Sequence, residues 1–238
     1  MKVLLTGASG FIGRHIKSSM IQNFDIDFPT HKELDLLNSS VVEDYIQKGH
    51  YDVVIHAANI NNSRDLKVSS YEVLQGNLLM YFNLAKCRNL YKRMIYLGSG
   101  AEYDFRAYIP KMKEDFFGEN IPCDAYGLSK YVMAKETLYA DNIFDFRLFG
   151  VYGTYEEWEH RFVSNAICRA LKGMPITICQ NVFFDYLWVE DLTKIIIKLI
   201  EKPLSYKHYN VCRGEKVDLY TLAQIIKEIT KVNTPIII

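Results

Sequence analysis

Three polar residues in the middle of the chain have the types and the spacing that proton transfer requires. Tyr126 and Lys130 lie four residues apart in a segment whose apolar spacing predicts a helix over 125–139, so both side chains are expected on one face. A neighbouring ammonium favours the phenolate, which suits Tyr126 to donate or accept a proton at neutral pH. Ser99 follows the apolar run 94–98, a predicted strand, and its hydroxyl is suited to hold a hydroxyl or carbonyl of a substrate beside Tyr126.

The same spacing recurs at Tyr131 and Lys135, five residues further along the predicted helix. At about 3.6 residues per turn, five residues rotate the second pair by about 140°, so the two pairs are expected on different faces. Only one pair can line a cleft, and the position of Ser99 selects Tyr126 and Lys130 as the catalytic partners. The alternative for Ser99 is a turn-forming serine between two glycines.

A glycine-rich turn opens the chain. An apolar run over 3–6 predicts a strand, residues 11–21 have helical spacing, and the turn between them carries three glycines. Glycines here let the backbone approach a pyrophosphate, whose charge meets the N–H groups at the start of the following helix. A plain strand-to-helix turn is the alternative. The pattern predicts a dinucleotide site formed by Gly7, Ser9, Gly10, Phe11, Ile12 and Gly13.

The residues after the second predicted strand bear on which dinucleotide is bound. That strand is expected over 24–28, with no carboxylate at its end; His31 and Lys32 follow it, and Arg14 follows the glycine turn. An acidic residue at this place binds the ribose 2′-hydroxyl of NAD, whereas basic residues accommodate the 2′-phosphate of NADP. The sequence therefore favours NADP(H) over NAD(H). The alternative is that His31 and Lys32 only solvate a loop.

Strand and helix patterns alternate along the chain. Apolar runs at 52–56, 94–97 and 145–149 are separated by stretches long enough for crossover helices, which predicts a parallel sheet. The helices after the first are expected at 39–48, 71–90, 125–139, 161–172, 189–201 and 219–231. The predicted fold class is α/β, a Rossmann-type doubly wound parallel sheet with a small C-terminal substrate-binding lobe. The dinucleotide-binding domain is expected over 1–150 with 183–200, and the lobe over 151–182 with 201–238.

Composition excludes several classes of partner. The 28 Lys and Arg residues balance 28 Asp and Glu residues, so no overall field attracts nucleic acid or an anionic membrane. No apolar stretch approaches the roughly 20 residues that span a bilayer, and no leader pattern precedes the first strand, so a cytoplasmic protein is expected. The five cysteines form no CxxC pair. They are expected to be reduced core residues, and no metal site is expected.

With these glycines, Ser99, Tyr126 and Lys130, the sequence resembles the extended short-chain dehydrogenase/reductase family of nucleotide-sugar epimerases, dehydratases and reductases, over nearly the whole chain. Asp35 and Leu36 are similar to the family's adenine-contacting acidic pair. Ala57 and Ala58 are similar to the segment after the family's fourth strand, and Asn77 falls at its active-site helix asparagine. The resemblance implies cofactor contacts from Asp35, Leu36, Ala57, Ala58, Asn77, Tyr126 and Lys130.

The resemblance also narrows the chemistry. Family 4,6-dehydratases carry an Asp and a Glu where this chain has Gly100 and Ala101, so dehydration is not expected. Members that invert carbon centres use a Cys at the position of Ala101 and a His near Phe162; here only His160 is close. Hydride transfer at one carbon remains, as in a 4-epimerase or a 4-keto-sugar reductase, with Ser99 and Gly100 at the substrate. The resemblance implies a role in surface polysaccharide precursor synthesis.

Two departures concern the nucleotide-sugar diphosphate. The family's substrate asparagine is replaced by Gly150, and its Arg-Asp pair is Phe184-Asp185. Replacement donors for a pyrophosphate are expected from the basic residues Arg161, Arg169 and Lys172, whose alternative role is an exposed helix face. Family members commonly continue for several dozen residues beyond Ile238. The lobe is therefore expected to be incomplete, with 235–238 a strand that needs a neighbour.

Two other functions are compatible with the residues. A cofactor-binding regulatory or scaffold protein without turnover would tolerate the missing phosphate contacts, and so would a reductase of a non-nucleotide carbonyl compound. The resemblance further implies a homodimer formed by the helices over 71–90 and 125–139. Apolar residues beyond one stripe of these helices are Leu78, Tyr81, Val132 and Met133.

Overall fold

The computed structural model describes residues 1–61 and 68–238. The strands are β1 (Lys2–Thr6), β2 (Asp25–Asp27), β3 (Val53–His56), β4 (Arg93–Ser99), β5 (Ile143–Leu148), β6 (Gly150–Tyr152), β7 (Ile176–Thr177), β8 (Phe183–Trp188), β9 (His208–Val211), β10 (Lys216–Asp218) and β11 (Ile236–Ile237). The helices are α1 (Phe11–Met20), α2 (Ser39–Gly49), α3 (Ser70–Lys86), α4 (Ala125–Thr137), α5 (Phe162–Leu171), α6 (Val189–Ile200) and α7 (Leu219–Thr230). Each predicted helix is present, with ends that differ by up to four residues.

The main sheet is parallel and has the strand order β2-β1-β3-β4-β5-β9. Strands β3 and β5 are buried along their whole length, as expected for parallel strands covered by helices on both faces. In the sheet, β2 lies on one side of β1 and β3 lies on the other. The carboxyl ends of β1 and β3 therefore form a topological switch point, where open α/β sheets bind ligands. The predicted doubly wound α/β fold is confirmed.

The chain divides into two compact units: Met1–Leu148 with Thr193–Val211, and Phe149–Leu192 with Cys212–Ile238. The first unit contains the parallel sheet. The second contains the sheets β10-β8-β6 and β11-β7.

This division differs from the expected one at three segments, of which the first is residues 149–150, now in the second unit. Residues 201–211 belong to the first unit because β9 extends the parallel sheet beside β5. Residues 183–192 belong to the second unit, where β8 pairs with β6 and β10. The expected strand at the end of the chain is β11, and its neighbour is β7.

Burial corrects two further expectations. Tyr81 and Met133 are core residues with 0% and 1% exposure, so neither lies on an open helix face. Tyr81 Oη donates a hydrogen bond to Glu136 Oε2 at 2.7 Å, which satisfies the hydroxyl in the core. Of the five cysteine thiols only Cys87 is buried, whereas Cys123 and Cys179 are exposed, so the cysteines are not uniformly core residues.

In the described part of the chain, helices fall short of the length and apolar character needed to cross a membrane.

Candidate active site

The glycine turn between β1 and α1 is closely packed on both sides. Gly7 has φ of +75°, and a Cβ there would lie 2.5 Å from the Ala58 nitrogen. A Cβ on Gly13 would lie 2.8 Å from Ala8 Cα and would also strike the Gly7 carbonyl. Gly10, which has no side chain, is the N-cap of α1. The helix N terminus is thus open to an anion at the switch point, as a dinucleotide pyrophosphate requires.

The loop after β3 forms the other wall of this cradle, and Asn77 fixes it. Asn77 is 2% exposed; its Oδ1 accepts from the Ile60 nitrogen at 2.8 Å and its Nδ2 donates to the Ile60 carbonyl at 2.9 Å. Both ends of the amide are therefore used by the backbone that follows Ala57 and Ala58. Asn77 thus positions this wall, and the cofactor contact that the resemblance implies stays a prediction.

His56 is a structural residue of the same wall. Its Nδ1 lies 2.8 Å from Thr6 Oγ1, which joins the ends of β1 and β3. Burial, with the charge of Lys130, lowers the pKa of His56 to about 3, so the imidazole is neutral at physiological pH.

The residues expected to select NADP are arranged around the end of β2. Arg14 Nε donates to the Ser9 carbonyl at 2.8 Å, which keeps its guanidinium at the glycine turn. His31 has a 79% exposed side chain and faces Asp35 Oδ1 at 3.6 Å. Asp35 Oδ1 also accepts from the Leu37 nitrogen, and Leu36 is buried.

The expectation that β2 has no terminal carboxylate is wrong, because the strand is shorter than predicted and ends at Asp27. Asp27 Oδ2 accepts from Tyr51 Oη at 2.7 Å and lies 3.3 Å from Lys2 Nζ. This carboxylate oxygen is thus engaged by groups of its own unit. The residues expected to select a 2′-phosphate are still Arg14, His31 and Lys32.

Ser99 ends β4 and begins a tight 3₁₀ turn, Gly100–Tyr103. Its Oγ accepts from the Ala101 nitrogen at 3.2 Å, and its own nitrogen donates to Glu102 Oε1 at 2.9 Å. These two hydrogen bonds form a capping box that fixes the serine at the carboxyl end of the strand.

Lys130 reaches the same edge from α4. It is 3% exposed, and its Nζ donates to the Leu97 carbonyl at 3.0 Å, two residues before Ser99. The ammonium lies 4.7 Å from the centre of the Tyr96 ring and 5.7 Å from that of Tyr126. Burial lowers the pKa of Lys130 to about 8, against the opposing effect of Glu102 and Asp145. The lysine therefore releases its proton more readily than an exposed lysine does.

Tyr126 lies in the first turn of α4, which packs on the turn after Ser99. A Cβ on Gly127 would be 3.0 Å from the Ala101 carbonyl oxygen, so no side chain fits between these segments. Tyr131 and Lys135 both lie beside Phe117. The centres of the Tyr131 and Phe117 rings are 5.0 Å apart, and Lys135 Nζ lies 5.6 Å from the centre of the Phe117 ring. The two Tyr-Lys pairs therefore face different surroundings, and the Tyr126 pair is the one at the Ser99 edge.

Sequence reasoning missed four charged or polar residues beneath this edge. Glu102, Asp145 and Arg147 have side chains with 0% exposure, and His208 has 10%. For Asp145 and Arg147 the sequence did contain a signal. The two charged residues are two positions apart in the otherwise apolar β5, so they must lie on the same face of the strand. Glu102 had no comparable signal, because the turn that buries it is not a regular element.

The substrate residues expected in the second unit do not form one cluster. Arg161 precedes α5, whereas Arg169 and Lys172 lie at its far end, about 12 Å away by helical rise. Arg169 Nε donates to the Pro175 carbonyl and so holds the following turn.

Gly150, where the family has asparagine, lies against β8. A Cβ there would lie 2.6 Å from the Asp185 carbonyl oxygen and 3.0 Å from the Tyr186 ring. Asp185 accepts hydrogen bonds from the Arg213 and Gly214 nitrogens, both at 2.7 Å. Among the described residues, no group of three or more His, Cys, Asp or Glu side chains is arranged to hold a metal ion.

The site combines a dinucleotide cradle with a Ser, Tyr and Lys edge on one parallel sheet, which defines a Rossmann-type oxidoreductase. The profile of the NAD dependent epimerase/dehydratase family matches residues 3–212. The chain belongs to this family, and the resemblance to extended short-chain dehydrogenases/reductases is confirmed. It is an enzyme of that type.

Individual relatives are similar over most of the chain. GDP-L-colitose synthase of Yersinia pseudotuberculosis is 26% identical over 262 residues, which cover 98% of this chain and 82% of that protein. GDP-L-fucose synthase of Azorhizobium caulinodans is 26% identical over 223 residues, covering 85% and 72%.

Solved structures share the fold. UDP-glucose 4-epimerase of Thermotoga maritima has a TM-score of 0.85 at 19% identity, covering 100% of this chain and 85% of that one. Further structures of this fold include a Thermus thermophilus UDP-glucose 4-epimerase in complex with NAD and a Campylobacter jejuni GDP-mannoheptose C4 reductase with NADP bound.

We predict that Gly13→Ala abolishes dinucleotide binding, because its methyl group would strike the Gly7 carbonyl and displace the turn. The measurement is the rise in melting temperature with saturating NADPH or NADH. The control is Gly173→Ala, where nothing lies within 4 Å of the new Cβ although φ is +67°; it should cost about 1 kcal/mol and keep the cofactor response. A normal cofactor response in Gly13→Ala would contradict the assignment of the cradle.

Proposed function

We propose that the chain is an NADP(H)-dependent 4-keto-reductase or 4-epimerase of a nucleotide-linked sugar that uses Ser99, Tyr126 and Lys130. The observation that carries the proposal is Lys130 Nζ at the Leu97 carbonyl and beside the Tyr126 ring, at the strand end that Ser99 terminates. These three residues lie in the same unit as the glycine cradle. The GDP-sugar synthases to which the chain is similar support a nucleotide-sugar substrate.

Each residue has a defined role in the proposal. The bound nicotinamide cofactor supplies or accepts a hydride at the reacting carbon. Tyr126 gives a proton to the carbonyl oxygen on reduction, or takes it from the hydroxyl on oxidation. Lys130 stabilises the phenolate by its charge, and Ser99 orients the reacting oxygen by hydrogen bonding. Gly7, Ser9, Gly10, Phe11, Ile12 and Gly13 hold the pyrophosphate at the α1 N terminus.

Reductase and epimerase chemistry differ in what becomes of the cofactor. A reductase consumes NADPH, whereas an epimerase oxidises and re-reduces one centre and regenerates its cofactor. The basic residues Arg14, His31 and Lys32 support NADP(H) and therefore the reductase. Structures with this fold carry NAD in one case and NADP in another, so the fold alone does not select between them.

A second candidate is reduction of a non-nucleotide carbonyl compound. It is favoured by Gly150, whose close contact with Tyr186 leaves no room for the family's asparagine, and by Asp185, whose carboxylate is taken up by the backbone of the 213–214 turn. Inhibition by GDP or UDP separates the two, because only a nucleotide-sugar site recognises a free nucleoside diphosphate.

A homodimer through α3 and α4 is also part of the proposal. Exposed apolar residues of α3 include Tyr71, Leu79 and Phe82, at 67%, 40% and 39% exposure, and Val132 of α4 is half-buried. They replace Tyr81 and Met133 as the residues suited to such an interface. The pathway role proposed is synthesis of surface polysaccharide precursors, as the family resemblance implies.

Tyr126→Phe is expected to lower kcat by about 10²–10⁴-fold while cofactor binding is kept, because only the transferable proton is removed. The measurement is kcat with a nucleotide sugar, beside the NADPH-induced shift in melting temperature. Tyr131→Phe is the matched control on the same helix and should leave kcat unchanged. Equal losses in both variants would refute the assignment of Tyr126.

NADPH is expected to raise the melting temperature of the wild type more than NADH at equal concentration, because the 2′-phosphate gains charged partners. Lys32→Ala should reduce the NADPH response, whereas Lys48→Ala, on exposed α2, should not. Equal responses to the two cofactors, or a larger response to NADH, would contradict the NADP preference.

A further inference from the structure

A cluster of buried charged groups lies beneath the turn that follows Ser99. Glu102 comes from that turn, Asp145 and Arg147 from β5, and His208 from β9, all in the first unit. The three charged side chains have no exposed surface. Ionised groups without water require partners for each charge, since the cost of an unpaired buried ion is several kcal/mol.

Glu102 links this cluster to Ser99. Its Oε1 accepts from the Ser99 nitrogen at 2.9 Å, and its Oε2 accepts from Arg147 Nε. Arg147 Nη1 donates to Tyr103 Oη at 2.8 Å, and Tyr103 Oη lies 2.8 Å from Asn210 Oδ1. The end of β4 is thereby tied to β5 and β9 through a single carboxylate.

Asp145 has one oxygen with partners and one without. Its Oδ2 lies 3.1 Å from Arg147 Nε and 2.9 Å from His208 Nδ1. Its Oδ1 is buried and receives no hydrogen bond from a donor in the described ranges, 1–61 and 68–238. An acceptor in that position is unsatisfied unless a proton lies on it.

Gly98 shows where the unsatisfied oxygen points. A Cβ at Gly98 would collide with both Asp145 Oδ1 and Glu102 Oε1, so the two oxygens converge on the same space. The Glu102 and Asp145 carboxyl groups therefore face each other across the space beside Gly98. Two buried carboxylates that face each other repel when both are ionised, and one shared proton relieves that repulsion, as in other carboxyl pairs.

We propose that Glu102 and Asp145 share one proton at neutral pH, and that this acid pair positions Ser99 through the Glu102 carboxylate and leaves Lys130 without a full counter-charge. The inference rests on the proposed function, in which Ser99 and Lys130 act on the substrate. The proton lies between Asp145 Oδ1 and Glu102 Oε1. The pair then carries one negative charge, which Arg147 balances.

Burial also favours a proton on the Glu102–Asp145 pair. It raises the pKa of Glu102, with the Asp145 charge as the next cause, and it raises the pKa of Asp145 to about 6. Burial also lowers the pKa of His208 to about 4, so that ring adds no charge at neutral pH. The titratable groups that face the pair are Arg147 on β5, His208 on β9, Lys130 on α4, Tyr96 on β4, Tyr81 on α3, and Tyr103 and Tyr108 after β4.

If the pair shares a proton, Asp145→Asn and Glu102→Gln differ in the hydrogen bonds that they keep. Asp145→Asn places an N–H where the proton lies, keeps an oxygen for Arg147 and His208, and leaves the pair with one negative charge. Glu102→Gln replaces one of two accepting oxygens by a donor, so it loses the hydrogen bond from either Ser99 or Arg147. If both carboxyls were ionised, each variant would instead remove one negative charge near Lys130.

The kinetic test compares kcat and its pH profile in the wild type and both variants. Asp145→Asn is expected to lower kcat less than Glu102→Gln does, with the limb of the profile that reports Lys130 unmoved. Glu102→Gln is expected to lower kcat by about tenfold or more, as loss of one buried hydrogen bond predicts, while NADPH still raises its melting temperature. A Lys130 limb that moves to lower pH in Asp145→Asn would overturn the proposal.

Infrared difference spectroscopy tests the proton without turnover. The spectrum of the wild type minus that of Asp145→Asn at neutral pH should contain the carbonyl band of a protonated carboxyl group, displaced in D₂O. A difference that contains carboxylate bands alone would overturn the proposal, even if the wild type reduces nucleotide sugars. The carboxyl band in a wild type that turns over no nucleotide sugar would refute the proposed function and support the shared proton.

Discussion

Burial of charge at the carboxyl end of β4 is the constraint on which the geometry of the site depends. Lys130 is enclosed by the Leu97 carbonyl and the Tyr96 ring, and a carboxyl cluster lies beneath the neighbouring turn. A lysine that is removed from water loses several kcal/mol of hydration unless its surroundings replace it. The strand end, the 3₁₀ turn and the first turns of α4 must therefore keep their relative positions, and these segments carry Ser99 and Tyr126.

Close backbone approach is the second constraint, and it acts at the other side of the sheet's switch point. Gly7 is required because the turn after β1 contacts Ala57 and Ala58 in the loop after β3. Gly13 is required because α1 packs against the same turn, at Gly7 and Ala8. Asn77 secures that loop with both ends of its amide. Hydrogen bonds to the backbone thus hold the cradle in place, whereas buried charges hold the edge that carries Ser99. A variant can impair one without the other.

Much of this arrangement is predictable from sequence, because it depends on local patterns. Glycine spacing between a strand and a helix specifies the cradle, and the i, i+4 pair of Tyr126 and Lys130 follows from helical periodicity. The end of β2 was misjudged because a three-residue strand carries almost no pattern. Residues 208–211, which form β9, were assigned to the other unit for a different reason. Their partner strand β5 lies some sixty positions earlier in the chain, and local patterns do not reveal such a pairing.

The buried cluster required tertiary information. A glutamate in a short turn is usually solvated, and only the approach of β5 and β9 encloses Glu102. Asn77 was likewise placed on the correct helix, yet its partner is a backbone loop that sequence spacing does not locate. Local rules thus selected the candidate ligand-binding residues, whereas the residues that position them are found only from the packing.

Hydride transfer between a nicotinamide and one carbon of a nucleotide-linked sugar is the reaction proposed at this edge. NADPH deuterated at C4 of the nicotinamide, incubated with GDP- or UDP-linked 4-keto sugars, tests it most directly. The account predicts deuterium at a single sugar carbon, in a ratio of one to each NADPH oxidised for a reductase. Oxidation of NADPH without label in the sugar, or no transfer to any nucleotide-linked keto sugar while a non-nucleotide carbonyl compound is reduced, would contradict it.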